Sequence, residues 1–328
     1  MFMNKLSVVI NTKNAAKTLA QTLESVKDWA EEIVVVDMKS TDETVQIARK
    51  FGAKVYEHQD VGYVEPARNF ATGKAKGDWI LILDADEEVG TQLKKAIQKI
   101  IDRDAKEDEV EARLGLIGVL SGADAYYLAR KNMIFGKWIE HTLWWPDYQL
   151  RLFKKSVVDW PDEIHAVPVT KGEVRQLPAK EELAILHHNY ATVSEFVERM
   201  NRYTGIQAET FKNLKSEARN QKQILNPKSE ILNAFFNEFL TRYFAGQGYQ
   251  DGLHGLSLSL LQAMYQSVAE MKSLEDQGAY LNPQPSTFNH QIFRKFQQDL
   301  NYWLADYQAH KAKGLKKLYW QLRRKFKL

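Results

Sequence analysis

Three carboxylates stand close together in Asp84-Ala85-Asp86-Glu87, directly after the apolar run Trp79-Ile80-Leu81-Ile82-Leu83. An unbroken apolar run of that length predicts a strand buried on both faces, which delivers the acids to the carboxyl edge of a sheet. In open α/β sheets that edge is where ligands bind. An Asp-x-Asp pair there suits Mg2+ or Mn2+, which take one or two carboxylates and complete their shell with water and phosphate oxygens. The spacing points to a metal-bound diphosphate. The same acids would also serve a helix N-terminus near Thr91, and the motif alone leaves both readings open.

The elements that must position these acids can be read upstream. Leu6 to Ile10 and Ile33 to Val36 are two further apolar runs, and Val55 and Tyr56 mark a short third strand. Between them Leu19, Leu23, Val26 and Ala30 recur at helical spacing, a second helix runs from about Glu43 to Phe51 with Gly52 as its stop, and Pro66 to Thr72 form a third. Strands alternating with helices imply parallel βαβ units and a doubly wound sheet. Thr12 and Asn14, Asp37 and Asp42, then Asp84 and Asp86 follow successive strands, so one edge collects the polar groups. Each cluster could be turn chemistry, but three on one edge favour a nucleotide site. No Gly-x-Gly-x-x-Gly follows the first strand and no Gly-Lys-Ser/Thr loop occurs, which disfavours a Rossmann dinucleotide site and a P-loop.

Bulk properties set the frame. With 328 residues, 44% hydrophobic and 27% charged, the chain can bury a sizeable core. The absence of cysteine excludes disulfides, thiolate metal sites and a cysteine nucleophile. The apolar start is too short for a signal peptide, and no apolar stretch reaches the roughly 18 to 20 residues that span a bilayer. A cytoplasmic protein, soluble or peripheral on a membrane, is expected. The net charge of +3 conceals a basic tail, because residues 311–328 carry lysines and arginines and no acid.

Ser7-Val8-Val9-Ile10-Asn11-Thr12-Lys13-Asn14, Val35-Val36-Asp37 with Ser40-Thr41-Asp42, and Leu83-Asp84-Ala85-Asp86-Glu87 together resemble the successive signatures of family 2 glycosyltransferases of the GT-A fold. The resemblance covers roughly residues 5–205. It implies that Thr12 and Asn14 line the nucleotide pocket and that Asp37, in the segment ending at Asp42, meets the base. Asp84 and Asp86 would address ribose, diphosphate and a divalent cation. Arg68 and Asn69 match the segment that closes over the nucleotide sugar, where an arginine could neutralise the diphosphate; an ordinary helix-surface arginine is the alternative.

Farther on, Phe135 to Phe153 holds three tryptophans, histidine and Trp145-Pro146-Asp147, too irregular for a helix face. Its aromatic rings suit stacking on sugars or filling a core. The Pro-Asp-x-x-Leu arrangement resembles a variant of the Glu-Asp pair that carries the family's base, which leaves Asp147 to accept the acceptor proton, with Asp162 and Glu163 in reserve. His165 resembles a histidine of the lipopolysaccharide-core glucosyltransferase branch, although Ala166 stands where that branch has Glu; diphosphate contact, metal ligation and a structural role stay open. His187-His188 also matches that branch, and a structural role is favoured for the pair.

In the last third, Leu232, Phe235, Phe236, Phe239, Leu240 and Tyr243 outline a helix with an aromatic face, and a second apolar helix follows Gly248 to Gly255. Leu315, Leu318, Tyr319, Leu322 and Phe326 form a stripe flanked by basic residues, which fits an anionic membrane surface better than nucleic acid. The expectation is an α/β GT-A domain over 1–225, with a nucleotide half of about 1–90 and an acceptor half of about 120–205, followed by a helical region over 226–328. The implied activity is metal-dependent, inverting transfer from a nucleotide-diphosphate sugar to a glycan or lipid-linked acceptor of the cell envelope or lipopolysaccharide. A nucleotidyltransferase and a non-catalytic membrane protein are the competing classes.

Overall fold

Each apolar run read as a strand is one, and the registers explain why the polar clusters meet. In the computed structural model, which describes residues 4–60, 64–102, 115, 122–161, 168–218, 227–278, 280–281 and 290–328, the chain divides into two compact units. The first comprises residues up to Met133 and Trp145–Asn189; the second comprises Ile134–Trp144 and Tyr190–Leu328.

The first unit opens with β1 (Leu6–Thr12), α1 (Leu19–Val26), β2 (Glu32–Asp37), α2 (Thr44–Lys50), β3 (Lys54–Glu57), α3 (Glu65–Lys74) and β4 (Trp79–Asp84). The four strands are parallel in the order β3-β2-β1-β4, the doubly wound half expected from alternation. Thr12 pairs in register with Asp37 and Asn11 with Asp84, so three loops open on one edge. Next come β5 (Glu87–Val89), α4 (Thr91–Ile101) and β6 (Ala125–Ile134). Helix α4 starts from Gly90 with no side-chain cap and no acid in its first turn, so the acids after β4 are not its cap. The chain then forms β7 (Lys137–Trp138), β8 (Asp147–Lys154), β9 (Val158–Asp159), β10 (Val169–Thr170), β11 (Val174–Gln176) and β12 (Ile185–Tyr190). Strand β8 runs antiparallel between β4 and β6, and β12 and β5 complete the sheet.

Both faces of the parallel half are dry. Val8, Ile10, Leu81 and Leu83 pack with α1 and α4, while Val9, Val34, Ile80 and Ile82 pack with Ala67 and Ala71 of α3. Every residue from Trp79 to Leu83 is buried, and each such side chain contributes roughly 1.5–3 kcal/mol.

The second unit is built on α5 (Val193–Ala218), α6 (Pro227–Leu240), α7 (Leu253–Asp276), α8 (His290–Lys311) and α9 (Gly314–Phe326). Ile134 and Ile139 share a core with Phe196, Met200, Leu258 and Leu261. The aromatic face of α6 and the π turn Thr241–Ala245 is spent on α8: Phe236 stacks on Phe296 with centroids 4.0 Å apart, and Phe244 on Trp303 at 6.3 Å. Among the described residues, no helix is long and apolar enough to cross a membrane.

Candidate active site

The edge at the end of β4 carries an array of acids and arginines. Asp84 is the last residue of β4, and its backbone N–H donates to Glu87 Oε2 at 2.9 Å, which folds the turn back toward β5. Arg151 Nη2 donates to Asp84 Oδ2 and to Glu87 Oε1, both at 2.5 Å. Arg68 Nη2 lies 3.4 Å from Asp84 Oδ1, and Arg130 Nη1 stands 3.8 Å from Asp84 and 3.5 Å from Glu87. Burial opposes the charge on Asp84, but Arg151, Arg68 and Arg130 outweigh it and hold the carboxyl well below the usual carboxylate range. Arg151 is itself buried, and Asp84 and Glu87 overcome that penalty and raise its pKa further.

Two neighbouring strands supply the rest through their period of two. Arg130 and Asn132 on β6 face Asp147, Gln149 and Arg151 on β8, with Arg130 directly across from Asp147. Asp147 accepts from Arg130 Nε at 2.8 Å, Asn132 Nδ2 at 3.0 Å and Gln149 Nε2 at 3.0 Å. Burial pushes its pKa up, but Arg130 and the two amides prevail, and the result lies below the ordinary aspartate value.

A histidine completes the edge. Asn132 donates through Nδ2 to Asp147, so its Oδ1 faces His187 Nδ1 at 2.6 Å and His187 must donate there. The other ring nitrogen, Nε2, lies 3.5 Å from Asp86 Oδ1. A carboxylate oxygen and an imidazole nitrogen thus stand side by side at this edge. Among the described residues no set of three or more histidine or acid side chains is grouped to hold a metal.

The remaining predicted residues divide. Thr12 Oγ1 and Asp37 Oδ1 are buried at the paired ends of β1 and β2 and have no hydrogen-bond partner among the described residues. Asn14, at φ 50°, holds the neighbouring loop by accepting from Thr41 N–H at 2.8 Å. Asp42 uses both oxygens within the loops, on Thr44 and on the Ala16 N–H, and those bonds lower its pKa against the effect of burial. Asn69 bonds the Trp160 backbone through both ends of its amide, at 2.8 and 3.0 Å, which makes it a brace between α3 and the chain after β9. His165, Asp162 and Glu163 lie outside the described residues. Arg130, Asn132 and Arg151 were not singled out from the sequence, although the alternation of polar residues along 130–132 and 147–151 marks them; His187 was noted, with a structural role favoured.

A depression of about 480 Å³ lies elsewhere, lined by Lys76, Gly77, Trp79 and Lys154 at the amino end of β4. In the second unit, buried Asp251 fixes the loop before Trp144. It accepts from the His141 N–H at 3.0 Å, from Thr142 Oγ1 at 3.2 Å and from His141 Nδ1 at 3.1 Å. Thr142 and Leu143 both have φ near 60°, a left-handed conformation that costs roughly 1–2 kcal/mol per residue and is held by these bonds.

The family model for "Glycosyl transferase family 2" matches residues 7–112. An uncharacterized glycosyltransferase of Rickettsia bellii is 30% identical over 248 residues, covering 73% of this chain and 78% of that one. One from Rickettsia felis is 45% identical over 98 residues, but the match spans only 34% of its length and 30% of this chain. Among solved structures, the mannosyltransferase PcManGT of Pyrobaculum calidifontis, in complex with GDP-Man and Mn2+, aligns over 84% of this chain and 89% of its own at 15% identity and TM-score 0.45. Residues 1–349 of Staphylococcus aureus TarS align over 87% and 94% at 20% identity and TM-score 0.39. On the sequence match that covers most of both chains, this protein belongs to glycosyltransferase family 2.

Proposed function

We propose that this chain is an inverting, metal-dependent glycosyltransferase that moves a sugar from a nucleotide diphosphate to a hydroxyl of a glycan or lipid-linked acceptor of the cell envelope, with lipopolysaccharide among the candidates. It would work at the inner, anionic face of a membrane. The observation that carries the reading is the juxtaposition of Asp86 and His187 beside an array of three arginines at the carboxyl edge of the sheet.

Each part has a chemical role. Asp37 and Thr12, whose buried polar atoms lack partners among the described residues, suit the polar edge of a nucleobase. Arg68 is placed to meet a diphosphate while holding Asp84. Asp86 and His187 suit a divalent cation, since a carboxylate oxygen and an imidazole nitrogen lie 3.5 Å apart and Asn132 holds the ring through Nδ1. When bound, such a cation supplies Lewis-acid stabilisation to the departing diphosphate. Asp147 is the proton acceptor for the attacking hydroxyl. Its low pKa keeps it ionised, and Arg130, shared with Glu87 and Asp84, tunes its basicity: any anion that draws Arg130 away makes Asp147 a stronger base.

Calorimetric titration with UDP, GDP, CDP and dTDP, each with and without Mn2+, tests the reading. Metal-dependent binding of one nucleotide, lost in Asp86→Ala, is expected. Absence of binding to all four would overturn the donor assignment.

A further inference from the structure

Helices α8 and α9 form a hairpin. Arg324 pairs with Asp306 at 2.6 Å and Lys327 with Asp299 at 2.7 Å, so two of the tail's cations are neutralised against α8. Among the described residues, nothing covers the opposite side of α9. Leu315, Leu318, Tyr319, Leu322 and Phe326 are 48–86% exposed, and no residue of the helix is buried. At 3.6 residues per turn these five fall on one face. Lys316 and Lys325 flank this stripe, Lys313 precedes it and Lys317 stands on the other side of the helix; all four are exposed and make no ion pair among the described residues. The aromatic face of α6, by contrast, is packed on α8.

Building on the membrane part of the proposed function, we infer that α9 is the docking element, lying in the interface of an anionic bilayer with its leucines and Phe326 among the acyl chains. Charge complementarity selects this occupant. Four unpaired lysines with no acid in residues 311–328 call for a polyanionic surface. The aliphatic ridge calls for hydrocarbon, which a phosphodiester backbone does not offer. Lysine stems can reach from that depth to headgroup phosphates. A protein partner with an apolar groove would account for the ridge and leave the lysines unexplained.

Flotation of the full chain with vesicles of phosphatidylcholine alone, or with a quarter phosphatidylglycerol, tests this. Binding to the anionic vesicles only, weakened by high salt, is expected. Leu318→Glu with Leu322→Glu should abolish it, and these exposed positions leave folding intact, checked by circular dichroism. Lys313→Gln, Lys316→Gln and Lys317→Gln together should weaken binding roughly a hundredfold, about fivefold for each lysine. Failure of the wild type to float with anionic vesicles would overturn the inference. So would flotation unchanged by the two glutamates but lost in Leu256→Glu, or a single-stranded RNA oligonucleotide that displaces the vesicles and binds the glutamate variant as tightly as wild type. The nucleotide titration reports separately on the transferase reading, because nucleotide binding without flotation removes only the role of α9, and flotation without nucleotide binding removes only the donor site.

Discussion

Arg130 stands directly across β6 and β8 from Asp147, with Nη2 2.6 Å and Nε 2.8 Å from the same carboxylate oxygen. This pairing makes the proposed base a carboxylate that stays ionised well into acid. Asp147→Asn should leave nucleotide binding nearly intact and cut transfer by roughly 10²–10⁴. Unchanged turnover in that variant would remove Asp147 as the base. Because the folded pKa is depressed, the acid limb of the rate profile should lie below the ordinary aspartate value near 4.

His187→Ala should weaken nucleotide binding in the presence of Mn2+ by roughly 10–100-fold and leave metal-free binding unchanged. Asn132→Leu should have a smaller effect on metal-dependent binding in the same direction, since it frees the ring to turn, and it also removes one donor from Asp147. Equal losses with and without metal would show that His187 contacts the nucleotide or is structural.

Glu87→Ala should destabilise the fold by about 3–5 kcal/mol in denaturant titration, because it leaves buried Arg151 short of one carboxylate. Replacing Arg151 and Glu87 together by methionine and leucine should cost less than the single change. A near-neutral Glu87→Ala would mean that Asp84 alone satisfies Arg151.

Glu32 offers an acid-range test. Burial opposes its charge, but Lys54, Ser7 and the Lys76 N–H bring its pKa down to about 2. A depressed folded pKa adds stability that is complete above the unfolded value near 4.5 and is lost as pH falls toward 2. The contribution is roughly 2–3 kcal/mol at most. Melting curves of Glu32→Gln should therefore start lower at neutral pH and fall less steeply than wild type between pH 4.5 and 2.

Gly255→Ala should disrupt the second unit, because a Cβ there would stand 1.7 Å from the Gly248 carbonyl oxygen, the contact that brings Asp251 to the 141–142 loop. Hydrogen exchange across 139–144 should rise sharply in that variant.

The parallel half was legible because its signals are local. Apolar runs, stop glycines and strand-end acids identified β1, β2 and β4, and the edge followed from topology. The arginine array was not, because its members come from three places: Arg68 on α3, Arg130 on β6 and Arg151 on β8 meet only after an antiparallel pairing that no local pattern announces. The histidine beside Asp86 illustrates the same limit. His187 lies far along the chain from Asp86, and its pairing with it depends on β12 running beside β5. The reading of Asp42 as turn chemistry was available in its residue type, and its hydrogen bonds match it.

The placement of Ile134–Trp144 with the helical unit has a bearing on synthesis. The segment is translated before Asp147, yet the side chains that cover Ile134 and Ile139 include Phe196 and Leu258, which leave the ribosome much later. A nascent chain stopped near residue 190 would display an apolar excursion with no lid, a ready target for chaperones. A gene cut at that point should therefore yield an aggregating product.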